Sequence, residues 1–118
     1  MLIRIDPEST RPLFEQIAAS VRGDVLAGRL RPGDRLPAAR EVADAVDVNV
    51  HTALRAYQEL RDEGLIDLRR GRGAVVSASA APLAELAGDV ADLMRRAAAL
   101  GISSTTLASL MKETHDDR

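Results

Sequence analysis

The sequence predicts a mainly α-helical fold with one small β-hairpin. Apolar residues recur every three or four positions in separate stretches, opened by Pro, Asn or Ser and closed by Gly. Two of these stretches are short and almost touch, separated only by Asp47-Val48. The best strand-like segments, Leu65-Ile66-Asp67-Leu68 and Ala74-Val75-Val76, flank a run of arginines and glycines that reads as a hairpin tip.

Each element follows from local chemistry. Leu2-Ile3-Arg4-Ile5 alternates and is expected to form a brief edge strand before Asp6-Pro7 breaks it. Pro12 suits a first helical turn, and Leu13, Ile17, Val21 and Val25 repeat every four residues, with Phe14, Ala18 and Leu26 widening the stripe. Gly28 closes this helix, expected over 12–27. Arg31-Pro32-Gly33-Asp34 is a turn by composition. Pro37 opens a second helix over about 37–45, with Val42, Ala43 and Val46 on one side. Asn49 caps a third helix that turns Ala53, Leu54, Tyr57 and Leu60 inward and ends at Gly64. Two short helices joined by a tight turn are a helix-turn-helix, and the hairpin after them makes a winged helix-turn-helix. After the small-residue stretch Ser77-Ala78-Ser79-Ala80-Ala81, Pro82 starts a long helix, Gly101 ends it, and Ser103 caps a last one. The expected organisation is a winged helix-turn-helix domain over 1–77, a linker over 78–82 and a two-helix tail over 83–118.

Composition narrows the function. The 118 residues hold 16 Lys+Arg and 18 Asp+Glu and are 46% apolar, as in an ordinary soluble domain. No apolar run is long enough for a spanning helix and the N-terminus lacks the look of a signal peptide, so no membrane association and a cytoplasmic location are expected. The absence of cysteine excludes disulfides and thiolate chemistry. His51 and His115, the two histidines, have no partner at metal-ligand spacing, and Gly71-Arg72-Gly73 lacks the lysine of a phosphate-cradling loop. Neither an enzyme, a cofactor nor a metal is expected. Phe14 and Tyr57 are the only aromatics, too few for a base-stacking platform.

The arginines and the third helix point to DNA. The second helix of a helix-turn-helix enters the major groove and reaches base edges with its N-terminal residues. Here these are Asn49, Val50, His51 and Thr52, with Arg55 one turn later near the backbone. Asn pairs bidentately with adenine, Val and Thr touch a thymine methyl, and His donates to guanine or phosphate. Asn49 also has a purely structural use as a cap. Arg40, at the start of the second helix, lies where such a unit meets phosphate; its bland alternative is a surface ion pair with Glu41 or Asp44. Arg70, Gly71 and Arg72 at the hairpin tip, beside Arg69, would extend the cationic footprint toward the minor groove.

These residues form a family pattern. Pro12-Leu13-Phe14-Glu15-Gln16-Ile17, the run Gly28–Arg40 with its Leu36-Pro37-Ala38-Ala39-Arg40, Thr52–Leu60, Glu63-Gly64-Leu65-Ile66 and Arg70-Gly71-Arg72-Gly73 resemble the DNA-binding domain of GntR-family bacterial transcription regulators. The resemblance covers about residues 8–77, and the Arg-Ala-Tyr-Gln-Glu-Leu run with its short tail is similar to the YtrA-type subfamily. It implies that Arg40 is the DNA-contacting arginine of the Leu-Pro-x-x-Arg motif. It implies recognition-helix roles for Asn49, His51, Thr52 and Arg55, and makes Gly71 the wing-tip glycine. It also implies a homodimer, often a repressor of its own, frequently transporter-encoding, operon. Relatives fused to an aminotransferase-like domain are longer than this chain. Asn49-Val50 departs from the family's usual Ser/Thr followed by Arg/Pro, Asp47 stands where Gly or Asn is common, Phe14 where the subfamily often has Tyr, and Ala38 where Ser is frequent.

The tail has its own physical reading. Leu83, Leu86, Val90, Leu93, Ala97 and Leu100 form a stripe, with Leu107, Leu110 and Met111 on the second tail helix. Such a strip needs a partner, and a two-fold copy of itself is the usual one. Two recognition helices then reach major grooves roughly 34 Å apart on an inverted-repeat operator in double-stranded DNA. No ligand-specific motif appears, so the sequence names no small-molecule effector. The competing reading is a winged-helix protein-interaction module without sequence-specific DNA binding, which has no use for Arg40 and the wing arginines together.

Overall fold

The structure is a computed structural model describing residues 3–71 and 73–116, with side chains through Thr114. It divides into two compact units, Met1–Glu85 and Leu86–Arg118. The elements run α1 (Leu13–Leu26), α2 (Ala39–Val46), α3 (Val50–Asp62), β1 (Ile66–Arg69), β2 (Gly73–Val76), α4 (Ala80–Ala99) and α5 (Ser104–Asp116).

In the first unit α3 is the central element, packed by α1, α2 and β1. Its buried face is Ala53, Ala56, Tyr57 and Leu60, two small residues that admit close neighbours and two large ones that fill the space between them. Leu54, expected inside, is 38% exposed. The inward arc is set by positions 53, 56, 57 and 60, and Leu54 falls at its edge while Ala56 takes the buried place. α1 supplies Ile17, Ala18, Val21 and Val25 to the same core, whereas Leu13, at its first position, is exposed. α2 adds Val42 and Ala43, with Val46 half-buried.

The expected edge strand at the N-terminus is not formed. Residues 3–6 are irregular. Their backbone finds partners on α1 instead: the Arg4 N–H donates to Ser20 Oγ (3.1 Å) and the Asp6 N–H to Gln16 Oε1 (2.7 Å). Gln16 is buried, and its amide Nε2 donates to the Arg11 carbonyl at 3.0 Å, so one side chain ties down both ends of the incoming segment. Side-chain partners satisfy these donors as well as a strand would.

The two strands pair antiparallel, Ile66 opposite Val76 and Arg69 opposite Gly73. Alternation turns Ile66, Ala74 and Val76 into the core and leaves Asp67 and Arg69 on the outer face. A third segment joins this sheet through a bridge between Arg35 and Val75. The Leu36 N–H donates to the Ala74 carbonyl and the Val76 N–H to the Asp34 carbonyl, both at 2.9 Å. The turn before α2 is thereby fastened to the wing.

The stretch expected as a linker, 78–82, is in large part helix, because α4 begins at Ala80. Ala80 is buried in the core, and the preceding Ser77 is buried with its Oγ donating to the Gly64 carbonyl. Alanine favours a helix start that must also sit against packed neighbours. Pro82 is tolerated because N–H groups of the first turn have no helical acceptor. In the second unit, the Ile102 N–H donates to the Ala97 carbonyl (2.8 Å) after α4, and Ser103 Oγ accepts the Thr106 N–H (3.2 Å), capping α5 as expected.

One ion pair braces α1 against the end of α3. Arg22 grips Glu63 with two hydrogen bonds, Nε to Oε1 at 2.7 Å and Nη2 to Oε2 at 2.6 Å. The hydrogen bond to Glu63 raises the Arg22 pKa, against an opposing effect of burial. Both side chains are about a third exposed, 32% and 38%, so the pair contributes at most about 1 kcal/mol. Each fully buried aliphatic such as Ile17 or Leu60 contributes about 1.5–3 kcal/mol. Burial holds the helices together, and the ion pair trims their orientation.

Asp47 caps α2 in the left-handed region, with φ 56 and ψ 53, a conformation that glycine adopts without a Cβ penalty. Asp47→Gly is expected to raise the urea midpoint by the equivalent of about 0.5–1 kcal/mol; a lowered midpoint would contradict this. Tyr57 is buried, and its hydroxyl donates to the Pro37 carbonyl at 2.5 Å. Tyr57→Phe should cost about 1–2 kcal/mol by leaving that carbonyl unpaired. Burial first, and Glu41 second, push the phenol's pKa above its ordinary value. Above about pH 10 the unfolded chain therefore ionises this group while the folded chain does not, and stability falls as pH rises. Urea titrations of the Phe variant should lack this alkaline component; equal alkaline losses in both proteins would refute it.

Candidate nucleic-acid interface

The N-terminal turn of α3 is built from its cap outward. Asn49 stands in extended backbone (φ −65, ψ 141), and its Oδ1 accepts the His51 N–H at 2.8 Å. The cap use foreseen for this side chain is made, and it leaves the amide nitrogen as the free donor. Asn49 and His51 are exposed, while Val50 and Thr52 are half-buried. Val50 packs against the hydrophobic core, so part of its surface is spent on folding.

Arg40 is the second residue of α2 and is exposed. It makes no ion pair among the described residues, so the pairing with Glu41 or Asp44 that would make it a surface ornament is not formed. Its helix is held against α3 from the other side. The Tyr57 hydroxyl bonds to the Pro37 carbonyl, fixing the segment that leads into α2. α2 itself starts at Ala39, later than the expected 37, because Pro37 and the extended Ala38 (ψ 151) serve this link instead.

Arg55, one turn beyond the α3 cap, is exposed, and its guanidinium carbon lies over the Phe14 ring, 3.8 Å from the centroid. This contact joins the first turn of α1 to α3. Sequence reasoning placed both residues and missed their meeting, for which the only clue is that Phe14 is one of two aromatics.

At the wing tip Gly71 has φ +81, which favours glycine, and Arg70 is exposed without an ion-pair partner among the described residues. Arg69 stands beside Asp67 at 3.5 Å, partly neutralised. Arg72 lies outside the described residues. Packing brings α2, α3 and β1 together in the first unit.

The apolar stripe of the tail is divided. Leu83 belongs to the first unit, and Leu86, Val90, Leu93, Ala97, Leu100, Leu107, Leu110 and Met111 to the second. Leu86 (54%), Val90 (46%), Leu100 (74%), Leu110 (57%) and Met111 (54%) are widely exposed, as is Met94, which sequence reasoning passed over. Ala97 is buried at 4%, whereas Leu107 is half-buried and keeps part of its surface. Ala97 has no surface left to offer another chain.

A cavity of about 800 Å³ runs along the N-terminal segment and α1, lined by Arg4, Asp6, Gln16, Asp24 and Arg29 among others. It shares no residue with the sites above, and Arg29 and Asp24 pair with each other at 2.8 Å. Among the described residues no cluster of three or more His, Cys, Asp or Glu is assembled that could hold a metal ion, and no helix is long and apolar enough to cross a membrane.

Comparison with known proteins places this geometry. The HTH-type transcriptional repressor YtrA of Bacillus subtilis is 43% identical over 79 residues, 67% of this chain and 61% of the repressor. An HTH-type transcriptional regulator of Mycobacterium tuberculosis is 31% identical over 115 residues, 98% of this chain and 95% of the regulator. Among solved structures, YtrA from Sulfolobus acidocaldarius, a GntR-family transcription factor, is 35% identical and superposes with a TM-score of 0.63 over 84% of this chain and 99% of its own. Residues 13–76 match the bacterial regulatory proteins of the gntR family. The chain belongs to the GntR family of bacterial regulatory proteins, with a YtrA-like winged helix as its DNA-binding-type domain.

Proposed function

We propose that the chain is a homodimeric, sequence-specific DNA-binding transcription regulator, a repressor of its own operon, acting in the cytoplasm by binding and not by catalysis. The first unit binds DNA, and the two-helix tail joins two copies. The observation that carries this reading is Arg40, exposed and without a carboxylate partner among the described residues, on the helix packed against α3. The relatives support it, since those of Bacillus and Mycobacterium are described as a transcriptional repressor and a transcriptional regulator.

In this reading Asn49, Val50, His51 and Thr52 face base edges, Arg40 the phosphates or guanine, Arg55 the backbone, and Arg70, Gly71 and Arg72 the minor groove. Leu83, Leu86, Val90, Leu93, Leu100, Leu107, Leu110 and Met111 form the surface between copies. Duplication places the two recognition helices on successive major grooves of an inverted repeat.

Arg40→Ala tests the DNA side. Its melting temperature should match wild type, since no ion pair is lost, while affinity for the DNA upstream of its own coding sequence falls by about 1–3 kcal/mol in a gel shift. Undiminished affinity would remove Arg40 from the interface. Leu86→Asp combined with Leu93→Asp tests the tail. Both side chains are at least 40% exposed, so the change need not disturb a core. Sedimentation should show a folded monomer, with only weak half-site binding in the gel shift. A variant that stays dimeric and binds the full operator would place the interface elsewhere.

A further inference from the structure

The Phe14–Arg55 contact differs in kind from the other arginine contacts of the first unit. Arg22, Arg29 and Arg69 each spend guanidinium N–H donors on a carboxylate. A cation held over a ring face is attracted by the ring's electron density and spends none of them. The donors of a guanidinium lie in its plane, so a stacked arginine keeps its whole fork for an incoming anion and keeps its full charge. Arg55 is exposed, sits one turn inside α3, and has no carboxylate partner among the described residues. Phe14 is half-buried and packed against the hydrophobic core, so its ring is a fixed platform and not a loose cap.

We infer that Phe14 is a positioning residue for DNA binding: it pre-orders the Arg55 guanidinium over the recognition helix with its donors free for a backbone phosphate. This rests on the DNA-binding reading above. A free arginine loses rotamer freedom when it meets DNA, and a side chain already stacked has lost much of it beforehand. Phe14 therefore acts through Arg55 and touches no DNA itself. The partner recognised is a phosphodiester, which makes the effect independent of base sequence.

The test is a double-mutant cycle of Phe14→Leu and Arg55→Gln, read by fluorescence anisotropy on operator and random duplexes over a salt series. Phe14→Leu should weaken both duplexes about two- to fivefold, the scale of an exposed cation–π contact. The slope of log K against log salt should stay unchanged, because the charge is retained. Arg55→Gln should flatten that slope by about 0.9, the loss of one phosphate contact. In the Arg55→Gln background, Phe14→Leu should have no further effect. Phe14→Tyr, which keeps a ring face, should bind like wild type. Equal losses from Phe14→Leu in both backgrounds, or no loss in either, would overturn the inference and leave the regulator reading intact. A wild-type chain without DNA affinity would overturn both. Should Phe14→Leu fail to fold, wild type alone decides: Arg55 side-chain protons must show an upfield ring-current shift in NMR, and random-coil values would refute the contact.

Discussion

Thirteen residues of α3 have to serve two surfaces, and the Tyr57–Pro37 hydrogen bond shows how the demands are reconciled. One face must be buried so that the helix has a fixed place. The other must stay free of partners so that it can meet something else. Tyr57 fills the buried face with a large ring and sends its only polar atom past the core to a carbonyl that precedes α2. Leaving that carbonyl unpaired in a buried place would cost more than the bond itself contributes. The bond therefore fixes the distance between α3 and the start of α2, and with it the place of Arg40 relative to Asn49. The helix-turn-helix owes its rigidity to an interaction on its inner side.

The rest of the first unit elaborates that constraint. Ala53 and Ala56 keep the buried face of α3 thin, so α1 and α2 both reach it. Arg35 and its neighbours couple the pre-α2 turn to the hairpin through the Arg35–Val75 bridge. Ser77 then closes the hairpin back onto the end of α3 at Gly64 and Leu65. The segments flanking α2 and α3 are thus hydrogen-bonded to elements far away in sequence. An exposed reading surface keeps its geometry only when the backbone beneath it cannot relax.

Much of this was legible beforehand, because the signals were local. The Asn49 cap, the Ser103 cap and the hairpin around Gly71 depend on residues within a few positions of each other. What escaped was long-range or accidental to local pattern. Leu54 fits an apolar stripe as well as Ala56 does, and only the direction from which α1 and α2 approach decides between them. The segment before α1 alternates like a strand, yet Gln16 and Ser20 offer its N–H groups partners that no periodicity reveals. Ala80 and Pro82 look like a linker by composition, whereas burial of Ala80 makes them the start of a helix. The stack of Arg55 on Phe14 spans two helices and has no spacing rule behind it. Of the candidate site, positions were legible and partners were not.

Charge illustrates why partners matter more than totals. The chain carries 18 acidic and 16 Lys or Arg residues, a net charge of −2 that argues against attraction to a polyanion. Electrostatic influence at physiological salt fades over about 8 Å, so a surface is felt locally. Several acids of the first unit are engaged where they stand: Glu63 by Arg22, Asp24 by Arg29, Asp67 beside Arg69, and Glu15 near Arg11. Among the described residues Arg40, Arg55 and Arg70 are held without a carboxylate, one on α2, one on a ring face and one at a hairpin tip. Each such pair is neutral where it stands, while these three cations keep their charge. Asp47, like Glu41 and Asp44, makes no ion pair among the described residues, and it sits between α2 and the cap of α3 in a backbone conformation that suits glycine better. In the DNA-binding reading its carboxylate opposes phosphate at the point where the two helices meet, and its backbone conformation opposes folding. The two costs coincide at one residue, so stability and charge at this turn are governed by the same side chain.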